Sequence, residues 1–150
     1  MKKTIATIAI TAIVTAAIAA ACFAGCAKKS VKQTATAYLD QDGNTITATV
    51  DLAGGYSCDI ARGAIYLDDK DDTVAMGLTL DKEVFDDYAA AAKECADSKE
   101  LNGGVMYEGD GQMIFIKAVG NSAYFGVFAE NTTPAQMEKL VERFDVAPEF

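Results

Sequence analysis

From about residue 38 the chain alternates apolar and polar positions, breaks at corners rich in glycine and aspartate, and changes to a helical period twice. The first strands predicted are TATAYLD and TITATVDL, separated by QDGN, where Asp42-Gly43 suits the positive backbone dihedrals of a tight hairpin. Ile46, Ala48 and Val50 fall on one face of that hairpin and Thr45, Thr47 and Thr49 on the other. Beyond Gly54-Gly55, Tyr56, Cys58 and Ile60 alternate with Ser57, Asp59 and Ala61, which turns the cysteine inward. GAIYL and TVAMGLTL, joined by DDKDD, predict a further pair.

DKEVFDDYAAAAKECADSK has helical spacing. Asp81 can cap its start, Glu83 suits its first turn, and Val84, Tyr88, Ala91 or Ala92, and Cys95 make one stripe. After Leu101-Asn102-Gly103-Gly104 a second strand group follows: VMYE, QMIFIKAV and AYFGVFAE, with turns at Gly109-Asp110-Gly111 and Gly120-Asn121-Ser122. QMIFIKAV is apolar on both faces apart from Lys117, the mark of a central strand covered twice. In the last element Thr133 is the expected N-cap, Pro134 the first helical residue and Gln136 the partner in a capping box. Met137, Leu140, Val141 and Phe144 form its expected stripe, with Pro148 ending helical geometry. The fold class expected is α+β: a mostly antiparallel sheet of about six or seven strands with two packed helices, in one compact domain over residues 38–150.

Charge narrows the partners. The chain carries 13 basic and 22 acidic residues, a formal charge of -9. Without Lys2 and Lys3 the balance is 11 against 22, or -11. Nucleic-acid binding needs concentrated Lys and Arg, so nucleic acid is excluded as the main partner. The same field repels anionic lipid, and attachment to a membrane would have to come from outside the folded surface.

The first residues supply such a means. Met1-Lys2-Lys3 is positive, Thr4 to Ala27 contains no charge, and small residues close the run, which is the pattern of a signal peptide. Ala24-Gly25-Cys26, preceded by Phe23 where Leu, Val or Ile is usual, resembles the lipobox of bacterial lipoproteins. Ala20-Ala21-Cys22, led by Ala19, is a second candidate. The resemblance implies a cleaved leader over residues 1–25, an acylated Cys26 (alternatively Cys22) as mature N-terminus, and a domain held outside the cell membrane, facing outward or into a periplasm. Residues 26–37 then read as lipidated cysteine and tether, with Lys28, Lys29 and Lys32 placed to touch anionic head groups, or as an ordinary soluble linker. The competing reading is an uncleaved N-terminal membrane helix, since the run is long enough to span a bilayer. Cys22 and Cys26 alone are too few ligands for a metal.

Export makes a disulfide permissible. Cys58 and Cys95 both point inward by their periodicity, so a bond between them is expected, closing 36 intervening residues and contributing about 2–4 kcal/mol by loop entropy. Two buried free thiols are the alternative.

Candidate chemistry is sparse. With no histidine in the chain, the usual base of serine and cysteine hydrolases and the commonest zinc ligand are missing. Glu108 and Asp110 read as turn residues, and Ser57 as a strand serine. Asp68, Asp69, Asp71 and Asp72 could collect a calcium ion if their carboxylates converged, and the DQDGN segment from Asp40 to Asn44 resembles the start of a calcium loop without its later glutamate, but a solvated hairpin accounts for both. No phosphate-binding glycine motif is present, and neither cofactor nor metal is expected. The leading expectation is a small binding or accessory module of the cell envelope, recognising an envelope protein or glycan. Tyr107 and Tyr124 could line its groove or fill its core. Two alternatives remain: a carboxylate-dependent hydrolase of envelope polysaccharide, and a structural or inhibitory protein-binding domain.

Overall fold

The computed structural model describes residues 10–13, 33–41 and 43–149, with backbone alone at 10–13 and 41. Cys22, Cys26 and the tether lysines lie outside the described residues. The architecture is α+β, built from two antiparallel sheets and two helices.

The strands are β1 (Ile10–Ile13), β2 (Thr34–Gln41), β3 (Asn44–Asp51), β4 (Tyr56–Ala61), β5 (Ala64–Asp69), β6 (Asp72–Leu80), β7 (Lys99–Leu101), β8 (Gly104–Gly109), β9 (Gln112–Val119), β10 (Ala123–Glu130) and β11 (Phe144–Pro148). Helix α1 (Lys82–Glu94) joins β6 to β7, and α2 (Pro134–Val141) joins β10 to β11. The smaller sheet runs β1-β2-β3-β11; the larger has seven strands in the order β4-β5-β6-β10-β9-β8-β7.

Three layers follow from the alternation. Ala37, Leu39, Ile46, Ala48 and Val50 of the small sheet close onto Ile65, Leu67, Phe115, Phe125 and Val127 of the large one, with Met137, Leu140 and Val141 of α2 in the same core. The opposite face of the large sheet carries Ile114, Ile116, Tyr107 and Phe128 beneath α1. β9 is therefore covered on both faces, as its continuous apolar run requires. Thr133 and Gln136 make the full capping box, and Asp81 accepts from the Val84 amide at 2.8 Å.

Four sequence expectations change. In α1 the inward stripe is Phe85, Tyr88, Ala89 and Ala92; Val84 is 38% exposed, one position out of phase with it. α1 ends at Glu94, and Lys99–Leu101 pairs with β8 because Asn102-Gly103, both at positive φ, reverse the chain there. Phe144 does not extend the stripe of α2: it opens β11, which pairs with β3 from Phe144↔Val50 to Pro148↔Ile46. β2 starts at Thr34, as TATAYLD predicts, and so takes the last four residues of the span expected for the tether.

The Cys58–Cys95 bond is the fifth correction. Both thiols are free and partly buried. Each does face a core, but the cores are different ones. Cys58 sits opposite Leu67 on the face turned to the small sheet, whereas Cys95 packs into the cluster under α1. The Cys95 thiol approaches the Glu108 carbonyl of β8 at 4.0 Å, and β8 is five places from β4 in the sheet. At about 4.8 Å per strand that is a lateral separation of about 24 Å, against less than about 7 Å between the Cα atoms of a disulfide.

Candidate functional site

The chain beyond α2 builds a corner. Arg143 donates its backbone N–H to the Leu140 carbonyl at 3.1 Å, and its own carbonyl accepts from the Asp51 amide at 2.8 Å. Its guanidinium Nη1 donates to the carbonyls of Asp51 at 3.0 Å and Ala53 at 2.8 Å, while the guanidinium carbon lies 3.8 Å from the centre of the Tyr56 ring. One side chain thus supplies two charge-assisted hydrogen bonds and a cation–π contact. The turn from Asp51 to Tyr56, which contains Gly54-Gly55 at φ 91° and 89°, is fixed against the end of α2.

This corner is one wall of a cleft of about 580 Å³. The same cleft is lined by Asp69, the cross-strand partner of Tyr56, by Asp72 from the β5–β6 turn, and by Glu130 at the end of β10. Asn131, Gln136 and Lys139 complete the polar lining. Asn131 takes φ 50°, and the Thr132 hydroxyl donates to the Glu130 carbonyl at 2.8 Å, so the entry to α2 is shaped locally. Gln136 Oε1 accepts from the Thr133 amide at 3.0 Å, which leaves the Gln136 amide nitrogen as a donor for a ligand. The cleft brings together carboxylate acceptors, cationic and amide donors, and the aromatic ring of Tyr56. Such a set recognises a polar ligand by hydrogen bonds. Asp72 and Glu130 are exposed to solvent.

The cleft lies beside the point where the chain enters the domain. The Leu52 amide donates to the Gln33 carbonyl at 2.7 Å, one residue from the carbonyl of Asp51 that Arg143 holds.

Other sequence candidates belong elsewhere. Burial, then the charges of Asp59 and Asp68, push the Cys58 thiol up, which makes it a poor nucleophile. Asp68 accepts from the Thr73 hydroxyl at 2.7 Å. Among the described residues no group of three or more Cys, Asp and Glu side chains is placed to hold a metal. Tyr107 is a core residue, 3% exposed, and Tyr124 lies 4.5 Å from Phe85 centroid to centroid. Both tyrosines pack under α1. Sequence reasoning passed over Arg143 and Tyr56, the centre of the cleft, because they are 87 positions apart. A lone arginine directly after an amphipathic helix was the available signal.

Comparison with protein-family models, curated proteins and solved structures finds no match to this chain. Among the described residues no helix is long and apolar enough to cross a membrane.

Proposed function

We propose that this protein is a lipid-anchored extracytoplasmic binding module of the bacterial envelope, and that its ligand enters the cleft between Arg143 and Glu130. Ala24-Gly25-Cys26 supports the anchor, and an acidic domain without a strongly basic surface supports attachment by acyl chains. The observation that carries the reading is the position of the cleft. It opens at the end of the domain where Gln33 leads back to Cys26, and the seven residue-to-residue steps between them reach at most about 25 Å. The cleft therefore works close to the membrane surface, on a polar protein segment or glycan of the envelope rather than on nucleic acid.

Affinity capture from detergent-solubilised envelope, with the lipidated protein as bait, tests the proposal. A specific envelope component retained by the native protein and lost from Tyr56→Ala and Glu130→Gln supports it. A capture profile identical for all three proteins contradicts it.

One observation favours a second reading, hydrolysis of envelope polysaccharide: Asp69, Asp72 and Glu130 share one cleft. Release of soluble sugars by the native protein but not by Glu130→Gln would replace binding with catalysis.

A further inference from the structure

Without β1, β2 would be the edge of the small sheet, and it has few of the features that keep edges single. Between Thr34 and Asp40 there is no proline, lysine, arginine or glycine, and its pairing with β3 runs without a bulge. The other free edges are better guarded. β7 has three residues including Lys99 and Glu100, β11 carries Asp145 and ends in Pro148, and β4 carries Asp59 in mid-strand, whereas the one charge of β2, Asp40, lies next to its end.

The edge of β2 does accept a strand. In the whole chain β1 lies on it antiparallel, with Ile10 opposite Leu39 and Ile13 opposite Thr36. Those residues belong to the leader that the lipoprotein reading removes, and processing at Cys26 would strip the edge bare. We infer that in the mature protein the vacated edge of β2 pairs antiparallel with β2 of a second copy about a twofold axis. The inference rests on that reading, because only removal of the leader frees the strand.

The strand is complementary to itself. Keeping the buried Ala35, Ala37 and Leu39 on one side in both copies restricts the axis to a residue position, and the middle of the strand offers Ala37 or Tyr38. With Ala37 on the axis Asp40 faces Thr34 of the other copy; with Tyr38 on the axis it faces Thr36. Neither register sets two carboxylates opposite each other, and both bring a hydroxyl donor toward Asp40. Asp40 Oδ1 is shielded from solvent and lacks a hydrogen-bond partner. Anchoring both copies in one membrane raises their effective concentration, so a modest backbone ladder is enough to hold them.

The test uses full-length protein expressed with its leader, oxidised in intact membranes and sized without reductant. Tyr38→Cys alone, Thr36→Cys and Tyr38→Cys expressed together, and Asp97→Cys as an exposed control are compared, with intact mass read on each sample. Outward positions 36 and 38 leave the core untouched. Dimer at least fivefold above the Asp97→Cys control is expected from Tyr38→Cys alone if Tyr38 is on the axis, or only from the mixed pair if Ala37 is. Leader removed and no excess dimer overturns this inference and leaves the anchor reading standing. A retained leader overturns both, and adducts to another protein in place of the dimer overturn the second copy as occupant.

Discussion

A methyl group on Gly77 would lie 2.8 Å from the ring of Phe144. Gly77 is in β6 of the large sheet and Phe144 opens β11 of the small one, so the gap left by a missing side chain is where the two sheets lock. Phe125 fills the other side of the same gap, its ring centre 5.9 Å from that of Phe144. Gly77→Ala forces both rings to move in a filled core and is expected to cost about 1–3 kcal/mol. Urea unfolding measures it; an unchanged midpoint would show that the joint is loose.

Placing Cys58 and Cys95 on opposite faces of the large sheet predicts two free thiols in the folded domain. Alkylation in denaturant without reductant should label both residues completely, and reductant should leave the thermal midpoint unchanged. Labelling that appears only after reduction would contradict the arrangement.

Tyr107 gives the domain an alkaline limit. Burial first, then Tyr88, Asp110 and Cys95, push its hydroxyl up to about 12, above the ordinary tyrosine value of about 10. A raised acid binds its proton more tightly in the folded state than in the unfolded one. Its contribution to stability is complete below about pH 10 and is lost as pH rises toward 12. Cys58, raised in the same direction, adds to the loss. Tyr107 should ionise above the ordinary tyrosine range in an ultraviolet titration, and Tyr107→Phe should flatten the fall in stability over that window. A fall of unchanged steepness would remove Tyr107 as its source.

Arg143→Ala leaves the Asp51 and Ala53 carbonyls without their donor and uncovers Tyr56. The expected loss is about 2–3 kcal/mol, from two charge-assisted bonds whose carbonyls regain water only in part. Arg143→Lys keeps the charge but not the planar fork, and should recover less than half of that loss. Equal stability of the lysine variant and the native protein would show that charge alone holds the corner.

Much of this fold can be read along the chain. QMIFIKAV and AYFGVFAE coincide with β9 and β10, and the capping box at Thr133 sets α2, because hydrophobic period and cap chemistry are local. Phe144 was misplaced because Leu140 and Phe144 are four apart, a helical spacing, and what makes Phe144 a strand residue is its pairing with Val50. The cysteines were misassigned for a related reason. Periodicity states that a residue points inward, but not toward which of two cores, and α1 and the small sheet cover opposite faces. The cleft was beyond local signals altogether, since Tyr56, Glu130 and Arg143 meet only through sheet order and the docking of α2.

The proposed placement of this domain at a membrane depends on one covalent change, read by the intact mass of protein extracted from membranes of cells expressing the whole chain. The account predicts a species that starts at Cys26, lacks residues 1–25 and carries acyl mass on that cysteine, with Cys26→Ser giving no such species. Recovery of the native chain with its first 25 residues in place and no added lipid would contradict it.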